Sequence, residues 1–134
     1  MRRHLLATLL SITCLSPAAV GAQQTLFDAR AISAGCAAGD CVGAVRVSVA
    51  ALQAQGLTQP AMNSQLAILA AMLVQAAQTA PAAAAADYAA ALEAVAAAST
   101  DPTQARAIAE VAQKIAAGNA AAIDLTTGIA ASAG

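Results

Sequence analysis

The residues best equipped for chemistry in this sequence are Cys36 and Cys41, which bracket the stretch Cys36-Ala37-Ala38-Gly39-Asp40-Cys41. Two close cysteines can act as a redox dithiol, supply half of a metal shell, or form a structural disulfide. Redox motifs usually set two residues between their cysteines, whereas this pair has four. A zinc site needs four ligands, and no second cysteine pair or downstream histidine is present to complete one. In an oxidising compartment such a pair becomes a disulfide, and Ala-Ala-Gly-Asp can supply the turn that closes it. A loop this small constrains little unfolded-chain entropy, so the bond is worth about 2 kcal/mol at most. The spacing therefore predicts a structural Cys36–Cys41 disulfide, with a thiol-redox or metal role for the pair as the alternative.

Other chemistry lacks its parts. The one histidine, His4, lies in the first few residues, so the rest of the chain cannot build a Ser-His-Asp or Cys-His arrangement. The carboxylates Asp28, Asp40, Asp87, Glu93, Asp101, Glu110 and Asp124 are scattered, and Asp40 and Asp101 read as helix caps. Tryptophan is absent, which argues against the aromatic-lined cleft of a paired-carboxylate glycosidase. Gly35, Gly39 and Gly43 recur every four residues and match no phosphate-cradling pattern. No calcium-loop pattern occurs. The expectation is a protein without cofactor or metal, and not an enzyme.

The first 22 residues read as a secretory signal peptide. Met1-Arg2-Arg3-His4 is a short positive segment, Leu5 to Leu15 an apolar one, and Ser16-Pro17 break it before the small residues Val20-Gly21-Ala22. Cleavage after Ala22 is expected, giving a mature chain of residues 23–134 in the periplasm or outside the cell. The apolar run is shorter than the roughly 20 residues that span a bilayer. Arg2-Arg3 gives a faint twin-arginine reading, and Cys14 a lipidation reading weakened by the poor match of Ser11-Ile12-Thr13.

Without Arg2 and Arg3, the mature chain keeps four basic residues against seven acidic ones, a net charge of −3. That balance argues against nucleic acid, which requires a basic footprint, and against charge-driven binding to anionic lipid. About a third of the chain is alanine, the residue of highest helix propensity. Alanine buries little, about 0.8 kcal/mol per methyl, so the composition predicts a folded domain of marginal stability.

Punctuation divides the mature chain into helical segments. Residues 24–33 read as a short helix or an extended arm. A helix over about 41–55, capped by Asp40 and ended by Gly56, places Val42, Val45, Val49 and Leu52 on one face. The next, about 59–79, has Thr58 as its cap and Pro60 in its first turn; Met62, Leu66, Leu69 and Leu73 form its stripe, widened by Ile68, Met72 and Val74, making it the expected most buried helix. Pro81 ends it. A nearly all-alanine helix over about 82–98 carries Tyr88, Leu92 and Val95. Asp101-Pro102 and Gln104 form an approximate capping box for a helix over about 102–117 with Ile108, Val111 and Ile115 inward. Glu110 and Lys114 lie outward at the favourable spacing. Gly118-Asn119 stops it, and a weak last helix over about 120–131 holds Ile123 and Ile129. An echo of Ala50-Ala51-Leu52 in Ala90-Ala91-Leu92 reads as alanine bias rather than as a repeat.

The pattern predicts an all-α fold, a small alanine-rich antiparallel bundle of four to five helices forming a single domain. No charge occurs between Arg46 and Asp87. The apolar run Leu66–Val74 is too short and too closely flanked by amides to span a membrane. It reads as a core helix or as a face for a partner. The expected function is non-enzymatic: an exported helical interaction or structural domain that binds an unknown protein or a second copy of itself, with Leu66, Leu69, Met72 and Leu73 as the candidate face. The alternatives are a peripheral membrane or surface-active protein and the thiol-redox or metal protein noted above.

Overall fold

The computed structural model describes residues 24–124, and these form a helical bundle. Its elements are α1 (Ala29–Ala37), α2 (Cys41–Ala54), α3 (Gln59–Thr79), α4 (Ala85–Ala98) and α5 (Pro102–Ala116). A single 3-10 turn, Ala82–Ala84, leads into α4, and another, Ala120–Ala122, follows α5. No strand occurs among the described residues. The leader, with Cys14 and the cleavage position after Ala22, lies outside the described residues, as does Ile129 with the end of the expected last helix.

Side-chain caps fix where the helices begin. Asp28 accepts hydrogen bonds from the Arg30 and Ala31 amides at 3.0 and 3.1 Å, so α1 starts at Ala29. The expected helix or arm over 24–33 is thus both: an arm to Asp28, then a helix. Asp40 accepts from Gly43 N–H at 3.1 Å, Thr58 from Ala61 N–H at 3.4 Å, and Asp101 from Thr103 and Gln104 N–H at 2.8 and 3.3 Å. Each satisfies a donor that the first helical turn leaves orphaned.

Two helix ends close by the same device. At α5, Gly118 adopts a φ of 83°, and the amides of Gly118 and Asn119 donate to the carbonyls of Ile115 and Lys114, both at 2.9 Å. At α1, Gly39 has a φ of 81°, with Gly39 N–H on Cys36 O and Asp40 N–H on Gly35 O. Both are Schellman turns, which call for glycine at the left-handed position. The weak last helix shrinks to the turn Ala120–Ala122 within the described residues. The Schellman turn has already redirected the chain there.

The apolar stripes meet in one core. Ile32, Val45, Leu52, Leu66, Leu69, Leu73, Leu92, Val95, Ile108 and Ile115 are almost completely enclosed. Val42, Ile68 and Met72 are only partly covered. The helix expected to be most central, α3, does bury the most residues, yet α4 packs on α2, α3 and α5 at once. Alanine explains this. Ala89, Ala91 and Ala96 put almost no bulk between α4 and its neighbours, so three helices can close around it.

Polar side chains pin the periphery. Gln65 is buried and holds the N-terminal arm: its Oε1 accepts from Leu26 N–H at 2.8 Å and its Nε2 donates to Gln24 O at 3.0 Å. Gln104, fully enclosed, departs from the expected capping box. Its Nε2 donates to Asn63 O at 2.7 Å and its Oε1 accepts from Ser99 Oγ at 2.6 Å, while the Asp101 amide turns to Ser99 Oγ instead. The amide side chain is drawn inward because both of its ends find partners there, the Asn63 carbonyl of α3 and the Ser99 hydroxyl.

Candidate functional site

The expected partner face is not a surface. Leu66 and Leu69 are fully buried, Leu73 is 1% exposed, and Met72 alone is partly open. These leucines pack against the other helices, so the stripe is core while the bundle is closed. The reason is the central α4, whose buried alanines add little bulk and let the helices close over the α3 stripe. Helix α3 is long and apolar enough to cross a membrane by length and composition, with half of its most apolar window covered by the bundle.

Among the described residues, the large apolar side chains left exposed are Leu26 and Val47, Val47 at 72%. They lie on separate elements, the arm and α2, and single exposed apolar residues are ordinary on a folded surface.

Cys36 and Cys41 are joined in a disulfide. Their arrangement follows from local folding. Cys36 occupies the last turn of α1, Cys41 is the first residue of α2, and the Schellman turn at Gly39 with the Asp40 cap reverses the chain between them. Cys41 is fully enclosed and Cys36 nearly so. No cluster of histidine, cysteine and carboxylate with metal-holding geometry occurs among the described residues.

A concave feature lies beside this disulfide. It is an open groove of about 650 Å³, walled by Cys36 and Gly39 at the end of α1, Ala76 and Thr79 at the end of α3, and Asp87 and Tyr88 at the start of α4. Pro81 and the 3-10 turn after it form its outer edge. Pro81 makes the site possible: it ends α3 and turns the chain, so the end of one helix and the start of the next flank a shared depression. Small side chains keep it open, since most of its apolar wall is alanine.

Three polar groups border the groove. The Thr79 hydroxyl is engaged with its own helix, donating to Ala76 O at 3.2 Å. Asp87 Oδ2 accepts from the Cys41 backbone N–H at 3.1 Å, a contact that bridges 46 residues of sequence. The second Asp87 oxygen accepts no hydrogen bond among the described residues. Tyr88 is 8% exposed, and its hydroxyl has no hydrogen-bond partner among the described residues. That hydroxyl is not sealed in, because no buried side-chain oxygen or nitrogen there is left unsatisfied. It therefore opens to solvent from an otherwise covered side chain.

The sequence pattern groups Tyr88 with Leu92 and Val95 on one helix face and leaves Asp87 among scattered carboxylates. One signal pointed to them: Asp87 is the first charge after forty uncharged positions, and it adjoins the one tyrosine. Their meeting with Cys36 depends on the start of α2 packing on α4 while the disulfide turn carries the end of α1 there, which no local pattern specifies. No family model, no curated protein and no solved structure matches this chain.

Proposed function

We propose that this chain is a non-enzymatic binding domain that works outside the cytoplasm, in the periplasm or extracellular space, and that its binding surface is the groove beside the disulfide. The observation that carries the reading is the pairing of that groove with Tyr88, a nearly covered side chain whose hydroxyl has no hydrogen-bond partner among the described residues. A buried-side polar group left open in a concave, mainly apolar site is the usual composition of a ligand pocket. The leader-like first 22 residues and the Cys36–Cys41 bond support export to an oxidising compartment. The absence of histidine beyond His4 supports a binding rather than a catalytic role.

Two measurements test this reading. Protein recovered after export should begin at Gln23 and should resist thiol alkylation until a reductant is added. A chain that retains its first 22 residues, or whose cysteines alkylate directly, contradicts the exported assignment. Replacing Ala84 with Leu should narrow the groove while leaving the fold intact, and should weaken any ligand response of the wild-type protein. A response unchanged by the narrowed groove places binding elsewhere.

A further inference from the structure

We infer that the groove selects a small organic ammonium, a molecule with one positively charged nitrogen and a short hydrocarbon body. This rests on the reading of the groove as the binding surface and names the class of its ligand.

Charge decides the sign. Among the described residues, no lysine, arginine or histidine lines the groove. Asp87 contributes the charged side chain of the wall among the described residues. The α2 N-terminus offsets about half of one charge, so the site is net negative. An anionic ligand would be repelled, and a neutral donor could hydrogen-bond to the open Asp87 oxygen but would not balance its charge. An ammonium supplies donors, the one hydrogen-bonding function that a carboxylate oxygen requires.

Tyr88 supplies the complementary function. Its hydroxyl can accept a second ammonium hydrogen while donating to water. The alanines and Pro81 offer apolar contact for a hydrocarbon body. Asp87 also stays anchored while it binds. One oxygen remains on Cys41 N–H, so the carboxylate is held by α2 and the disulfide turn rather than swinging free. Such pre-organisation lowers the ordering cost of binding.

The test is calorimetric titration of the oxidised, exported protein with three probes of matched size: hexylammonium, hexanol and hexanoate. Hexylammonium should bind, at least tenfold more tightly than either of the others, and more weakly as salt is raised. Asp87→Asn keeps an oxygen for Cys41 N–H and removes the charge, so it should weaken hexylammonium binding at least tenfold. Tyr88→Phe should weaken it about threefold. The salt dependence of the wild-type protein gives a readout that requires no variant to fold. Binding of hexanol or hexanoate in preference to hexylammonium overturns the inference and leaves the groove reading standing. Binding of none of the three overturns both. Hexylammonium binding that is unchanged by Asp87→Asn and by salt overturns the charge assignment.

Discussion

Asp87 in the first turn of α4 accepts the backbone N–H of Cys41, the first residue of α2, at 3.1 Å. This one contact ties the start of α2 to the start of α4, just where the disulfide ties α2 to α1. Removing the acceptor while leaving the donor part-buried costs more than the bond itself is worth. Asp87→Ala should therefore destabilise the bundle by about 1–2 kcal/mol, and Asp87→Asn by much less. Thermal unfolding of the two variants checks this, at about 4–8 °C per kcal/mol for a domain of this size. Equal losses for Ala and Asn would mean that charge, and not the hydrogen bond, provides the stabilisation.

The disulfide closes a loop whose turn is already specified by the Gly39 Schellman motif and the Asp40 cap. Its removal should cost stability only. The double variant Cys36→Ser with Cys41→Ser should stay folded and helical and lose about 2 kcal/mol, read by urea unfolding. Loss of helical circular dichroism would show that the bond specifies the α1–α2 reversal.

Gln104 offers a sharper case. It is fully enclosed and joins Asn63 of α3 to Ser99 of the α4–α5 turn. Gln104→Leu leaves the Asn63 carbonyl and the Ser99 hydroxyl without that partner, so a loss of about 1–3 kcal/mol is expected. Denaturant midpoints at unchanged slope would confirm a local cost. A neutral or stabilising result would mean that packing outweighs the polar pins at this end of the bundle.

The stripe on α3 separates a core role from an interface role. Leu69→Ala should cost about 2–5 kcal/mol, the usual range for a fully enclosed leucine. Val47→Ser, at a residue that is mostly exposed, should change stability by less than about 0.5 kcal/mol. Sedimentation of the wild-type protein at rising concentration completes the comparison. A loss at Leu69 that appears only where the protein self-associates would place that side chain in an interface.

Much of the fold was legible because it is written locally. Asp40, Thr58 and Asp101 cap where their types and positions say they should, and α3 runs over the expected residues 59–79. What is not local was not legible. Leu66, Leu69 and Leu73 look alike as a partner face and as a core stripe, because periodicity reports one-sided burial and not what does the burying. The centrality of α4 was hidden for a related reason: alanine carries little hydrophobic signal, yet it permits the closest approach. The groove was harder still, since it assembles from the ends of α1 and α3 and the start of α4, and only the isolation of Asp87-Tyr88 after a charge-free stretch marked it.

Amide chemical-shift mapping of the oxidised protein titrated with hexylammonium is the most direct test of the groove. Shifts concentrated at Thr79, Ala80, Ala84, Asp87 and Tyr88 are expected, with the amide of Val47, an exposed residue of α2 outside the groove lining, unmoved. Shifts centred on Met72 and its neighbours in α3, or spread evenly over the bundle, would contradict the groove reading.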